Sequence, residues 1–140
     1  METTLFLCTG NYYRSRFAEA VFNFEARRRG IGRRAVSAGL ALERLDAQGP
    51  LSPWADRVLR AMHIPLSDTG PVPRAVQPDD FATAARVIAL YEEEHRPLLE
   101  QNFPEWLPVV EFWNIGDLGE MDPAAALPEI ARRVNLLLES

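Results

Sequence analysis

The sequence predicts an α/β fold, a three-layer, Rossmann-like sandwich in which a four-stranded parallel sheet has helices on both faces. Two observations lead to this prediction. Short, nearly continuous apolar segments alternate along the chain with longer segments of helical hydrophobic periodicity. Continuous apolar segments are typical of strands buried on both faces, and strand–helix alternation predicts parallel strands joined by right-handed crossovers.

Two strands and two helices are expected in the first half of the chain. The strands cover Leu5–Leu7 and Arg34–Gly39, and the helices run from Ser15 to about Arg29 and from Pro53 to just before Ile64. Gly30 ends the first helix, because glycine readily adopts the left-handed conformation that follows a helix. Ser52 and Pro53 favour a helix start, since serine caps helix N-termini and proline suits the first helical position.

Two further strand–helix pairs follow a proline-rich connection over residues 65–78 and a short helical turn from Asp79. The strands are expected at Arg86–Leu90 and Leu107–Phe112, and the helices from Glu92 to Gln101 and from Asp122-Pro123 to about Leu138. Pro97 is expected to kink or restart the helix that contains it. Asp122 and Pro123 repeat the cap-and-proline start of the earlier helix.

Aromatic and histidine side chains are assigned from their positions in these elements. Trp54 is expected in the core, because it lies on the apolar face of its helix with Val58. For Trp113 the sequence leaves two assignments open, the core or the pocket wall, since its loop borders the expected site. His63 is expected at the surface near a helix end, and His95, which follows three glutamates, is expected to face solvent.

Composition excludes several classes of function. The chain has 140 residues, enough for one domain over residues 1–140, and a net charge of −5 argues against nucleic acid or a membrane surface as partner. No apolar run approaches the roughly 18 residues of a membrane span. One cysteine cannot form an internal disulfide, which suits a reducing, cytoplasmic compartment. Neither a metal site nor a cofactor is predicted, because the cysteine and two isolated histidines lack ligand spacing.

The segment Cys8–Ser15, here called the anion loop, is the strongest candidate for a functional site. It joins the first strand to the first helix, so it lies at the carboxyl edge of the sheet, where ligands bind in open α/β folds. The loops that begin at Gly39, Tyr91 and Trp113 should converge on the same edge. A helix N-terminus offers free backbone N–H groups and a positive dipole end, which favour a bound anion or a thiolate.

The spacing C-x5-R-S within this loop points to nucleophilic chemistry on a phosphoryl group. Cys8 is the candidate nucleophile, since helix N-termini and adjacent cations favour the reactive thiolate. Arg14 presents a guanidinium fork that matches two oxygens of a tetrahedral anion, and Ser15 can donate a hydrogen bond to the sulfur. All residues of the loop after Cys8 are expected to bind phosphate: Thr9, Gly10, Asn11, Tyr12, Tyr13, Arg14 and Ser15.

The anion loop, followed by Phe17-Ala18-Glu19-Ala20, resembles the signature of the low-molecular-weight protein tyrosine phosphatase family, and Ser37-Ala38-Gly39 resembles its next landmark. The resemblance implies a phosphotyrosine phosphatase I-like fold over essentially the whole chain. It also implies a two-step hydrolysis, in which Cys8 attacks the phosphoryl group and water then hydrolyses the phosphocysteine. A phosphorylated protein or a small phosphomonoester is the implied partner.

That family uses an aspartate between the fourth strand and the last helix as general acid, usually followed by proline. Asp117 and Asp122 are the two candidates. Asp122 precedes Pro123 but also fits the N-cap of the last helix, whereas the family's acid lies farther from that helix. Asp117 is therefore predicted to be the acid, although Leu118 follows it.

Departures from the family pattern leave alternatives open. Tyr13 stands where family members often have a second cysteine, which excludes the internal disulfide cascade of thioredoxin-coupled arsenate reductases. A single-cysteine arsenate reductase that uses an external thiol or glutaredoxin stays open. So does a non-catalytic phosphate-binding relative. Aromatic pocket walls are not evident after the second strand or after Asp117, so small aryl phosphates are the expected substrates along with phosphotyrosine.

Overall fold

The computed structural model describes residues 1–46 and 49–140, and in them the predicted four-stranded parallel sheet is confirmed. The strands are β1 (Glu2–Cys8), β2 (Arg33–Gly39), β3 (Arg86–Ala89) and β4 (Val110–Phe112). Their order across the sheet is β2-β1-β3-β4. Because β1 pairs with both β2 and β3, the loop after Cys8 lies where the direction of strand addition reverses, which is the usual place for a ligand.

Five α-helices connect or follow the strands in the described residues. They are α1 (Arg14–Arg28), α2 (Pro53–Ala61), α3 (Pro78–Thr83), α4 (Glu92–Asn102) and α5 (Pro123–Glu139). Short 3-10 helices cover Leu42–Arg44, Leu66–Asp68 and Pro104–Val109. None of the described helices is both long enough and apolar enough to cross a membrane.

The sheet separates two apolar clusters, as the three-layer prediction requires. On one face, Phe6 of β1 packs with buried residues of α1, α2 and α5. On the other face, Leu5 and Leu7 pack with Phe81 of α3 and Leu98 of α4. The alternation along β1 follows from the opposite orientation of successive side chains in a strand, and it explains the continuous apolar run in the sequence.

The fourth strand is shorter than predicted, since only Val110–Phe112 of the expected Leu107–Phe112 is strand. Residues 104–109 instead form a 3-10 helix. Pro108 has no N–H to donate to a neighbouring strand, and Val109 is 56% exposed rather than part of the core. Apolar character alone therefore overestimated the length of this edge strand.

The predicted exposure of two side chains, Trp54 and His95, is wrong. Trp54 is 45% exposed, because α2 buries Ala55 and Leu59 and thus turns its apolar face by one residue. The Arg57 guanidinium lies 5.2 Å from the Trp54 ring centroid. His95 is fully buried, since it shares a face of α4 with the buried leucines of that helix.

Trp113, which the sequence left open, belongs to the core. It is 8% exposed, and its ring centroid lies 5.8 Å from that of Phe6. His63 is exposed at the end of α2 with a positive φ of 59°, as expected for a residue that terminates a helix. Helix α4 continues through Pro97, so this proline does not restart the helix.

Candidate active site

The anion loop leaves the sheet at Cys8 and enters α1 at Arg14. Tyr13, the N-cap residue of α1, makes no side-chain cap hydrogen bond, and the first turn of the helix contains no acidic residue. The N–H groups of a first helical turn have no intrahelical acceptors. The positive end of α1 therefore faces the loop without the carboxylate or hydroxyl cap that many helices carry.

The conformation of the loop depends on Asn11, which is 1% exposed and has a left-handed φ of 51°. Its Nδ2 donates to Ser15 Oγ and to Ser37 Oγ, each at 2.9 Å. Its Oδ1 accepts from the backbone N–H of Arg74 at 3.0 Å. The amide thus ties the loop to α1, to β2 and to the connection before α3. Three satisfied hydrogen bonds offset the strain of a non-glycine residue in this region.

The candidate nucleophile, Cys8, lies next to Ser15, the residue at the other end of the anion loop. Cys8 is 3% exposed, and its Sγ lies 2.9 Å from Ser15 Oγ. Because Ser15 Oγ already accepts a hydrogen bond from Asn11, its own hydrogen is available to the sulfur. The Ser15 hydroxyl is therefore placed to donate to the sulfur of Cys8.

Arg14 forms the floor of the site, with a side chain that is 2% exposed. Its Nη1 donates to the Ile115 carbonyl at 2.9 Å, and its Nη2 donates to Glu94 Oε2 at 2.6 Å. Burial opposes the charge, but the negative charges of Cys8, Glu94 and Asp117 outweigh it and raise the pKa of Arg14. Its Nε is buried and has no hydrogen-bond partner among the described residues.

The two aspartates that the sequence proposed as acids have different surroundings. Asp117 lines the pocket, and its Oδ2 lies 3.7 Å from Arg14 Nη2. Asp122 is the N-cap of α5, where its Oδ1 accepts from the N–H of Ala124 at 2.9 Å. The geometry therefore brings Asp117 into the same pocket as Cys8 and Arg14, whereas Asp122 caps a helix.

The pocket above Arg14 has a volume of about 190 Å³. Its walls include Tyr12 and Tyr13 from the anion loop, and its rim is formed by residues after β2 and β4, namely Arg44, Leu45, Asp46 and Leu118. Burial and the nearby Asp117 raise the pKa of Tyr13 to about 12, so its phenol stays protonated at neutral pH. That hydroxyl has no hydrogen-bond partner among the described residues.

Sequence reasoning missed a second buried polar network beneath the loop. Glu19 Oε1 accepts from Ser37 Oγ and from Thr69 Oγ1, each at 2.7 Å. Arg16 Nε donates to the same Thr69 hydroxyl at 2.6 Å, and its guanidinium also donates to the Gly70 carbonyl. Burial raises the pKa of Glu19, while these hydrogen bonds oppose the shift. The network joins α1, β2 and the connection after α2 below Asn11.

Glu94 and His95 were also missed, because the acidic start of α4 is typical of a solvated helix surface. The available signal was position: α4 begins directly after β3, so its first turn lies at the carboxyl edge of the sheet. The side chain of Arg74 pairs with Asp80 at 2.9 Å, and its backbone N–H donates to Asn11 of the loop. No group of three His, Cys, Asp or Glu side chains suited to a metal is found in residues 1–46 and 49–140.

Comparisons with known proteins agree with this geometry. Residues 3–114 match the model of the family described as low molecular weight phosphotyrosine protein phosphatase. No curated protein sequence is significantly similar to the chain. The chain is similar to the crystal structure of a low molecular weight protein tyrosine phosphatase from T. tengcongensis, with 25% identity, a TM-score of 0.75 and coverage of 99% of this chain and 96% of that one.

Two other solved structures are below 25% identity and show the same fold. Wzb from Vibrio vulnificus, in complex with benzylphosphonate, is 19% identical with a TM-score of 0.80, and the match covers 99% of this chain and 97% of that one. The YwlE arginine phosphatase from Geobacillus stearothermophilus is 23% identical with a TM-score of 0.75, and the match covers 99% and 92% of the two chains.

Gly39 provides a test of how tightly β2 holds the anion loop. A Cβ at Gly39 would lie 2.8 Å from the Thr9 carbonyl oxygen and 3.1 Å from Asn11 N, so the loop must shift. We expect Gly39→Ala to lower the free energy of unfolding by about 1–3 kcal/mol and to weaken binding of inorganic phosphate. Urea unfolding and calorimetry measure the two effects. Gly32→Ala is the matched control, because a Cβ there meets no atom within 4 Å. Equal phosphate affinity in the two variants would contradict the prediction.

Proposed function

Because the chain belongs to the low molecular weight phosphotyrosine protein phosphatase family and is a phosphatase, we propose that it hydrolyses aryl phosphomonoesters through a phosphocysteine intermediate. Cys8 is the proposed nucleophile, Arg14 the phosphoryl-binding cation and Asp117 the general acid. The observation that carries this proposal is the buried Arg14 Nε, which has no partner among the described residues and belongs to the same pocket as Cys8.

In the first step, the Cys8 thiolate attacks phosphorus and the bond to the leaving oxygen breaks. Arg14 Nε–H and the second hydrogen of its Nη2 bind phosphoryl oxygens, as a guanidinium fork does with other tetrahedral anions. The backbone N–H groups at the start of α1 stabilise the charge that develops on those oxygens. Asp117, protonated at this stage, donates its proton to the leaving oxygen.

In the second step, water attacks the phosphorus of the phosphocysteine and the sulfur–phosphorus bond breaks. The Asp117 carboxylate accepts the proton of the attacking water, which returns the acid to its starting state. Ser15 donates a hydrogen bond to the departing sulfur, a role supported by the 2.9 Å separation of Ser15 Oγ and Cys8 Sγ. Inorganic phosphate is released, and the thiolate is restored.

We propose phosphotyrosine or a small aryl phosphate as the substrate. Tyr12 and Tyr13 in the pocket wall support an aromatic leaving group, and the structurally similar Wzb forms a complex with benzylphosphonate. The similar YwlE is an arginine phosphatase, so phosphoarginine belongs in the substrate panel. The rim residues Leu45 and Leu118 are aliphatic. They are compatible with a substrate smaller than a phosphotyrosine carried on the surface of a folded protein.

A single-cysteine arsenate reductase is the second candidate, favoured by the presence of Cys8 as the only cysteine of the chain. Two thiols supply the two electrons that reduce arsenate to arsenite, so Cys8 needs one external thiol. Arsenate-dependent consumption of reductant in the presence of glutathione and glutaredoxin would support this candidate over the phosphatase. We propose a cytoplasmic location for either activity, because both need Cys8 reduced.

Replacement of the nucleophile is the first test. We expect Cys8→Ser to lower kcat for p-nitrophenyl phosphate by about a thousandfold or more, because a serine hydroxyl is a far weaker nucleophile than a thiolate. Binding of inorganic phosphate, measured by calorimetry, should persist because Arg14 and the loop remain. Vanadate should inhibit the unmodified protein. Undiminished turnover in Cys8→Ser would reject the mechanism.

The acid is tested with a matched pair of substitutions. Asp117→Asn should lower kcat for phenyl phosphate by about a hundredfold or more, since a general acid typically contributes 10²–10⁴ in rate. The loss should be smaller for p-nitrophenyl phosphate, whose leaving group needs less protonation. Asp122→Asn should leave both kcat and stability nearly unchanged, because asparagine caps helices as well as aspartate does.

The opposite ranking of the two variants would assign the acid to Asp122. If neither variant changes a very low rate of hydrolysis, the chain is better described as a non-catalytic phosphate binder. Circular dichroism of both variants serves as the control for folding, and steady-state kinetics with both substrates gives the ranking.

A further inference from the structure

We propose that Glu94, which lies beside the buried His95, is a positioning residue that holds the Arg14 guanidinium in the geometry required to bind and transfer the phosphoryl group. This inference rests on the proposed function and extends it to a helix that the anion-loop motif does not include. Glu94 does not lie in the pocket lining, and it acts on the substrate only through Arg14 and Thr9.

Two donors converge on one oxygen of Glu94. Oε2 accepts from Arg14 Nη2 at 2.6 Å and from the hydroxyl of Thr9. His95 Nε2 lies 3.0 Å from the same oxygen. Arg14 and Thr9 both belong to the anion loop, whereas Glu94 and His95 belong to the first turn of α4. A single carboxylate oxygen therefore connects the start of α4 to two residues of the loop.

His95 lies against this carboxylate. The imidazole is fully buried, and its Nδ1 accepts from the backbone N–H of Tyr91 at 3.0 Å. A neutral imidazole whose Nδ1 is an acceptor carries its proton on Nε2, the atom next to Glu94. Burial lowers the pKa of His95, and the positive charge of Arg14 adds to that effect, so the neutral form is favoured.

The contacts determine which hydrogens of Arg14 remain for a substrate. Nη1 is committed to the Ile115 carbonyl, and one hydrogen of Nη2 is committed to Glu94. Nε–H and one hydrogen each of Nη1 and Nη2 then remain, and of these atoms Nε and Nη2 lie on the same edge of the guanidinium. That edge is the fork that matches two phosphoryl oxygens. Without Glu94, the guanidinium can rotate about its terminal bonds, and this edge loses its orientation.

Glu94 also keeps its charge throughout the reaction. Its partial burial alone would raise the pKa, but the hydrogen bond with His95, the charge of Arg14 and the hydrogen bond from Thr9 hold the pKa far below its usual range. A permanently ionised carboxylate weakens the attraction of the site for phosphate. Its retention is understandable if orientation of Arg14 matters more than added positive charge, since a misplacement of 1 Å can lower a rate by about a hundredfold.

Charge and geometry can be separated by two substitutions at one position. Glu94→Gln and Glu94→Ala both remove the negative charge, but glutamine keeps an oxygen where the Arg14 and Thr9 donors converge. We expect Glu94→Ala to lower kcat for p-nitrophenyl phosphate by about tenfold or more, and Glu94→Gln to stay within about threefold of the unmodified protein. Glu94→Ala should also bind inorganic phosphate at least about threefold more weakly than Glu94→Gln, as measured by calorimetry.

Glu93→Ala is the matched control. Glu93 lies in the same helical turn and pairs at 2.9 Å with the exposed hydroxyl of Tyr91, outside the pocket. Its removal should leave kcat, KM and phosphate affinity within about twofold. Thermal unfolding of all variants identifies any general loss of stability, which would lower the number of active molecules and not the phosphate affinity of those that are folded. If Glu94→Ala does not fold, Glu94→Asp carries the same test, because its carboxylate is withdrawn from Arg14 by one methylene.

Equal kcat and equal phosphate affinity in Glu94→Ala and Glu94→Gln would overturn the inference. If both variants are unimpaired, Glu94 has no role in orienting Arg14. If both are equally impaired, the lost charge and not the lost orientation is the cause. Absence of hydrolysis by the unmodified protein would instead reject the proposed function. In that case the comparison of phosphate affinities still decides whether Glu94 positions Arg14.

Discussion

A guanidinium buried at the floor of the pocket is the constraint on which this site depends. The side chain of Arg14 is 2% exposed, and a buried charge costs several kcal/mol unless it is paired and hydrogen-bonded. Its compensation comes from Cys8 at the end of β1, Glu94 after β3 and Asp117 after β4. Because these groups lie at or beyond the ends of three different strands, the charge is satisfied only when the strands end together at one edge of the sheet. The fold and the site therefore depend on the same residue.

The shape of the anion loop is determined by hydrogen bonds between Asn11 and residues beneath the loop. Asn11 has a left-handed conformation, and its amide binds Ser15, Ser37 and the backbone of Arg74. Ser37, one of these partners, is in turn held by Glu19, which Thr69 connects to Arg16. A partly satisfied buried network would be worse than an apolar core, whereas this one rigidifies the loop.

The parts of the site that are contiguous in sequence could be predicted, and those that are distant could not. The segment Cys8–Ser15 contains the cysteine, the arginine and a helix start in one window, so spacing alone marks it as the candidate site. Glu94 and His95 lie some 80 residues away in what the sequence indicates is a solvated acidic helix, because sequence shows composition but not which helical face turns inward. For the same reason, the predicted buried face of α2 was wrong by one residue, and Trp54 was assigned to the core. Pro108 shortened β4 because a missing N–H outweighs apolar character.

The carboxylates of Glu94 and Asp117 both lie near Arg14, and their surroundings differ. Glu94 accepts from a hydroxyl and a guanidinium beside a buried imidazole, which holds its pKa too low for it to carry a proton. It can orient but cannot act as an acid. Asp117 is 45% exposed and lies at 3.7 Å from Arg14, so it shares the same cation from the solvent side of the pocket. The two carboxylates around Arg14 therefore have different surroundings, and only Glu94 is enclosed by hydrogen-bond donors of the anion loop.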